Sequence, residues 1–156
     1  SLSLAGERIG YIAVHPDADG GEQLMGALAW ATRVLGYVNA PALMQRLVAE
    51  LVDVAVDVSI YERRRDAFTA ILDEAGIDYA RPEGAFYLFC RVPEGGGEQA
   101  GDDVAFIDAL KKQLVLAVPG SGFGAPGWFR LSYCVDEKVI RGSRNAILAA
   151  VSHWKE

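Results

Sequence analysis

The chain has 156 residues, of which 51% are hydrophobic, and a net charge of −6. This apolar fraction excludes an intrinsically disordered protein. The negative net charge argues against a nucleic-acid partner, because binding nucleic acid requires clustered Lys and Arg. The longest apolar runs are interrupted before 18 residues, so no membrane span is expected. The two cysteines, Cys90 and Cys134, are too few for a disulfide framework or a zinc site. Because no secretory signal is recognisable either, we expect a cytoplasmic protein without a bound metal.

In the first half, a β-branched and aromatic run at residues 8–14 predicts a buried strand. Helices are predicted over residues 19–34 and from Pro41 to about Val54, since proline is favoured at a helix start. The apolar faces of these helices need a sheet to pack against, and only one strand is predicted in this half of the chain. We therefore expect the sequence to be part of a larger fold.

In the second half, strands and helices alternate, which predicts an α/β layered unit. A helix over residues 59–75 is expected to stop at Gly76 because glycine favours the C′ position. The remaining elements are predicted in chain order: strand 84–92, helix 102–113, strand 114–118, strand 128–134 and helix 136–154.

The sequence S-L-A-G-E-R-I-G-Y at residues 3–11 places Arg8 after a turn of small residues. An arginine beside a buried strand is either paired with a carboxylate or directed at an anion, because burying it unpaired is costly. Its planar fork of donors suits a phosphate or a carboxylate. From the residues alone, both interpretations stay open.

A second arginine follows the glycine-rich sequence P-G-S-G-F-G at residues 119–124. In the strand W-F-R-L-S-Y that comes next, Arg130 is predicted to point away from the face that carries Phe129 and Leu131. It is either an ordinary solvent-facing arginine or a residue that binds an anion.

Together, these segments resemble class I/II aminotransferases of fold type I, the aspartate aminotransferase-like enzymes that use pyridoxal 5'-phosphate. The resemblance runs from Ser1 to the terminal helix. It implies that Arg8 binds the cofactor phosphate and that Arg130 grips the α-carboxylate of the substrate. In the family pattern the Schiff-base lysine stands eight residues before the first arginine. We therefore expect it immediately before Ser1, so that this chain alone contains no catalytic residue and is inactive.

Two further segments carry the resemblance. Residues 81–89 resemble the family's P-x-G-[AG]-F-[YF] strand, in which Phe86 is a candidate for lining the substrate entrance, while Tyr87 and Phe89 are predicted to be core residues. Residues 36–41 resemble a loop that reaches across the dimer interface, which implies a homodimer. Arg33 does not match the family's second carboxylate-binding arginine and is interpreted as a cation at a helix end.

The resemblance implies an α/β fold, with residues 1–57 ending a large cofactor-binding domain and residues 58–156 forming a small domain with an interdomain helix. The implied activity is transfer of an amino group between an amino acid and a 2-oxo acid. Two alternatives remain: a lyase of the same fold that uses the same cofactor, and a non-catalytic aminotransferase-like sensor domain.

Overall fold

The computed structural model describes residues 3–156, and the chain divides into two compact units, Ser1–Val56 and Asp57–Glu156. In the first unit, a short 3-10 turn at Ala5–Glu7 precedes two helices, α1 (Gly21–Val34) and α2 (Ala42–Glu50). Both helices were predicted, although α2 ends at Glu50 and does not reach Val54. Arg33 lies in the last turn of α1, where a cation interacts favourably with the helix dipole.

Residues 8–14 do not form the buried strand that their composition predicts. Tyr11 and Ile12 are 93% and 68% exposed. A strand requires a neighbour to satisfy its backbone N–H and C=O groups. Over residues 3–56 the structure contains no other strand, so this segment has nothing to pair with.

The helices of the first unit present apolar side chains without burying them. None of the described residues between 3 and 56 is buried, and Trp30 and Leu43 are 69% and 72% exposed. The described part of this unit contains no strand, so it offers α1 and α2 no sheet to pack against.

The second unit contains four helices: α3 (Val58–Ala75), α4 (Asp103–Lys112), α5 (Glu137–Gly142) and α6 (Arg144–Lys155). The α3 helix begins where the Asp57 carboxylate accepts a hydrogen bond from the Ser59 backbone N–H, and it ends, as predicted, at Gly76 with φ 67°. The single helix predicted over residues 136–154 is two helices. At Ser143 the hydroxyl donates to the carbonyl of Ile140, a local bond that competes with a continuous helix.

A four-stranded antiparallel sheet completes this unit in the order β1-β2-β4-β3. Its strands are β1 (Tyr79–Ala80), β2 (Tyr87–Arg91), β3 (Val118–Pro119) and β4 (Trp128–Ser132). The short β1 was not predicted. The prediction of a strand over 114–118 was wrong except at its end, because Leu114 has a left-handed backbone with φ 61° that closes the end of α4.

The core lies on one face of this sheet. Leu88, Cys90, Phe129 and Leu131 alternate along β2 and β4 and are buried. They belong to one cluster with buried side chains from all four helices, among them Leu72, Phe106, Ile140 and Ile147. The opposite sheet face is therefore left for Arg130 and its neighbours. Among residues 3–156, no helix combines the length and the apolar character needed to cross a bilayer.

Candidate anion-binding site

Arg130 occupies the centre of β4, with strands on both sides. Its register partners are Phe89 on β2 and Val118 on β3. The adjacent Phe129 and Leu131 are 0% and 3% exposed, whereas Arg130 is half-buried. As predicted, the arginine points to the sheet face opposite the core.

Two aromatic rings hold the guanidinium of Arg130. Its Cζ lies 4.2 Å from the ring centroid of Tyr87 and 4.5 Å from that of Phe123. Both distances are within the range of a cation–π interaction. Tyr87 was predicted to be a core residue, but it is 38% exposed and contributes to this clamp instead.

The N–H donors of Arg130 are not engaged by any residue that the structure describes. Among residues 3–156 the guanidinium makes neither an ion pair nor a hydrogen bond. Aromatic contacts to the flat faces of a guanidinium leave the N–H groups at its edge directed outward. A half-buried cation in this state is suited to an anion with two acceptors in one plane, which is the geometry of a carboxylate.

The aromatic contacts continue away from the arginine. The ring of Phe86 lies 4.6 Å from Tyr87 and 6.5 Å from Tyr61, between centroids. Phe86, the candidate for lining a substrate entrance, thus supports the tyrosine of the clamp. Phe89, which was predicted to be core, is only half-buried and stacks on Trp128 at 5.5 Å.

Hydrogen bonds donated by Tyr133 position the segment before β2. The Tyr133 backbone N–H donates to the carbonyl of Phe86, and its hydroxyl donates to the carbonyl of Ala85, each at 3.0 Å. Burial raises the pKa of the Tyr133 phenol, and the charge of Arg65 opposes that change only in part. The neutral hydroxyl therefore remains a donor, and it fixes the backbone from which Tyr87 projects.

Sequence reasoning missed Asp103, which is the buried acidic residue of this region. It is 4% exposed, and its carboxylate accepts hydrogen bonds from the backbone N–H groups of Ser121 (2.8 Å) and Gly127 (3.4 Å). Burial acts to raise the pKa of Asp103, but the bonds from Ser121 and Gly127 outweigh it, so the pKa lies below its usual value. The only signal in the sequence was the Asp-Asp pair at a helix start, which is also typical of simple capping.

Arg8 lies in the other unit, directly after the 3-10 turn at Ala5–Glu7. It is exposed, and its backbone is left-handed with φ 58°. This conformation is uncommon for a residue other than glycine, asparagine or aspartate. The charge is therefore presented at the surface by a sharply turned backbone.

Comparison with known protein families identifies the family of this chain. The family model "Aminotransferase class I and II" matches residues 1–147. The chain belongs to this aminotransferase family. A relative from Aquifex aeolicus, named probable aspartate/prephenate aminotransferase, is 35% identical over 92% of this chain and 37% of its own length. The aspartate aminotransferase of Thermotoga maritima is 33% identical over 85% and 32%.

Solved aminotransferase structures share this fold. An amino transferase from Eubacterium rectale matches 100% of this chain and 38% of its own, with a TM-score of 0.81 and 36% identity. LysN, the α-aminoadipate aminotransferase of Thermus thermophilus, matches with a TM-score of 0.75 at 22% identity. The α/β fold and the aspartate aminotransferase-like, fold type I family predicted from the sequence are thereby confirmed. The chain spans less than two-fifths of the length of these relatives.

Proposed function

We propose that this chain forms part of an aminotransferase that uses pyridoxal 5'-phosphate to transfer an amino group between an amino acid and a 2-oxo acid. The observation that carries the proposal is Arg130, a half-buried arginine clamped between two rings with its donors unengaged. Amino acids and 2-oxo acids both contain a carboxylate beside the reacting carbon. A single arginine can therefore position both substrates.

Arg130 binds that carboxylate through two parallel N–H···O bonds in this proposal. Tyr87 and Phe123 restrict rotation of the guanidinium, so less conformational entropy is lost when the carboxylate is bound. Bidentate contact fixes the orientation of the α-carbon as well as its position. Since the backbone of Arg130 is paired with both β2 and β3, the sheet sets this orientation.

Arg8 is proposed to bind the cofactor phosphate. Its exposed guanidinium, presented after a tight turn, has the charge and donor geometry that a phosphate requires. When bound, pyridoxal 5'-phosphate serves as an electron sink for the α-carbon of the substrate. The contribution of Arg8 is to hold the phosphate group, separately from the carboxylate contact of Arg130.

The proposal also places the complete enzyme in the cytoplasm as a homodimer. Both cysteines, Cys90 and Cys134, are free thiols, which fits a reducing compartment. The loop at residues 36–41 supports the dimer only through its family resemblance.

The complete gene product that contains this segment provides the test. Arg130→Gln is expected to raise the KM for amino-acid substrates about tenfold or more, because a charge-assisted contact is lost. Arg8→Gln is expected to weaken cofactor binding, measured by absorbance titration. Arg91→Gln is the matched control, since Arg91 lies on the same sheet face but outside the aromatic clamp. An unchanged KM in the Arg130 variant would contradict the assignment.

A further inference from the structure

Asp103 is unusual among the acidic residues of the second unit because it is almost completely buried without a cationic partner. It is 4% exposed, and within residues 57–156 no Lys, Arg or His lies within ion-pair distance of its carboxylate. Backbone N–H groups balance its charge, assisted by its place in the first turn of α4. Burying a carboxylate costs free energy. The structural role of the buried Asp103 carboxylate therefore requires explanation.

The backbone N–H groups of Ser121 and Gly127, which donate to the Asp103 carboxylate, belong to the loop at residues 120–127. One oxygen accepts from Ser121, near the start of the loop, and the other accepts from Gly127, at its end. Gly120 is closely packed here, since a Cβ at this position would lie 2.4 Å from the carbonyl oxygen of Ala125. Asp103 therefore joins both ends of the loop to the start of α4.

Phe123 depends on this loop for its position. Its side chain is 52% exposed, so the core does not hold it in place. Nevertheless its ring centroid lies 4.5 Å from the Cζ of Arg130, forming one side of the clamp. Tyr87, on the other side, projects from a paired strand and does not require such an anchor.

The ionised form of Asp103 suits this contact better than a neutral one. A carboxylate offers an acceptor oxygen to each of the two N–H groups. An asparagine has one acceptor oxygen, and its NH₂ group would oppose the second backbone donor. The lowered pKa of Asp103 agrees with stabilisation of the charged form by these bonds.

We propose that Asp103 is a positioning residue for the carboxylate site, because it anchors the 120–127 loop and thereby holds Phe123 over Arg130. The inference rests on the proposed carboxylate-binding function of Arg130. Asp103 hydrogen-bonds to Ser121 and Gly127 and not to Arg130 or Phe123. Its effect on the presentation of Arg130 to a carboxylate is therefore indirect.

The experiment uses this 156-residue chain with propionate as the carboxylate probe. The Nε–Hε resonance of Arg130 is followed by NMR, since two flanking rings shift it in a characteristic direction. Phe123→Leu defines the shift that Phe123 contributes. Asp103→Asn is expected to move the resonance toward its position in Phe123→Leu and to weaken propionate binding about three- to tenfold.

Asp102→Ala is the matched control for helix capping, because alanine removes the side-chain acceptor that asparagine would retain. Asp102 is adjacent and caps the same helix by accepting from Val104 and Ala105, but it does not contact the loop. This variant is expected to lower stability while leaving the Arg130 resonance and propionate affinity unchanged. If Asp103→Asn does not fold, Ser121→Pro removes the backbone N–H and the hydroxyl of Ser121 from an intact Asp103. It is expected to give the same spectral change.

The outcomes separate the two proposals. Propionate binding to Arg130→Gln is followed through the backbone amides of Phe89 and Val118, which lie beside position 130 on the neighbouring strands. If this variant binds propionate as well as the unmodified chain does, the carboxylate-binding role of Arg130 is wrong. If Arg130→Gln abolishes binding while the Asp103 variant keeps the original resonance and affinity, only the positioning role is overturned. A loss of affinity in Asp102→Ala equal to that in Asp103→Asn also overturns it, because the effect is then one of helix capping.

Discussion

Arg130 and Tyr87 are on neighbouring strands but are not register partners. Arg130 pairs with Phe89, and Tyr87 pairs with Ser132, yet the guanidinium lies 4.2 Å from the tyrosine ring centroid. Such diagonal neighbours on one sheet face are within reach of long side chains. The cation–π contact is therefore a consequence of strand register, and it positions the arginine that is proposed to bind the substrate.

Removing the Tyr87 ring is expected to weaken carboxylate binding. Tyr87→Leu loses a cation–π contact of about 1 kcal/mol, which corresponds to roughly a fivefold higher dissociation constant for propionate. Tyr87→Phe retains the ring and is expected to bind normally. An NMR titration of the Arg130 side chain measures both. Equal weakening in the two variants would assign the effect to the hydroxyl and contradict the clamp.

A methyl group at Gly120 is expected to destabilise the second unit. A Cβ there would lie 2.4 Å from the Ala125 carbonyl oxygen and 2.5 Å from that of Trp128, both of them backbone atoms. Gly120→Ala should lower the free energy of unfolding by about 2 kcal/mol or more.

The control for this prediction is Gly122→Ala in the same turn, where a Cβ would meet no atom within 4 Å. It is expected to change stability by less than about 0.5 kcal/mol in urea unfolding. Similar losses at both glycines would show that close packing at Gly120 is not the cause.

Glycine at position 114 is expected to stabilise the fold. Leu114 is 92% exposed and has φ 61° at the end of α4, a conformation that glycine adopts without steric cost. Relief of the left-handed strain stabilises the folded chain, whereas glycine also increases the entropy of the unfolded chain. The net effect of Leu114→Gly should be a rise in the free energy of unfolding of about 0.5–1 kcal/mol.

Leu116→Gly serves as the comparison, since Leu116 is 80% exposed and is not among the residues with positive φ. It should give no gain. If neither substitution stabilises the chain in urea unfolding, the left-handed backbone at position 114 is not a source of strain.

The two thiols are expected to react at very different rates with a disulfide reagent such as DTNB. Cys90 is fully buried, and burial raises the pKa of its thiol to about 12, so almost no thiolate forms near neutral pH. Cys134 is exposed. The folded chain should release one equivalent of the chromophore quickly and a second only in denaturant. Rapid reaction of the folded Cys134→Ser variant would show that the core opens around Cys90.

Local patterns in the sequence were sufficient for several elements. The α3 helix ends at Gly76 because glycine accepts a positive φ, and that rule requires only the neighbouring residues. The orientation of Arg130 followed from the alternation of a strand, with Phe129 and Leu131 taking the core side. The family motifs around Arg8 and Arg130 could likewise be recognised without coordinates.

Other features depended on partners that a local pattern does not specify. Residues 8–14 have the composition of a strand but no strand beside them in the described part of the first unit. The apolar composition around Leu114 favoured a strand, but its left-handed backbone forms the end of a helix instead. Tyr87 and Phe89 were expected in the core because aromatic residues are often buried, yet register places them on the Arg130 face.

By itself, the sequence determined the family, most of the helices, and the two arginines that carry the proposed function. The helices depend on periodicity and capping, and the family and its two arginines were identified through the resemblance of short motifs. All of these are local properties of the chain. Only the tertiary structure revealed the Tyr87–Arg130–Phe123 clamp and the anchoring of its loop by Asp103. Both require residues distant in sequence to meet, and strand register and burial decide which residues do so.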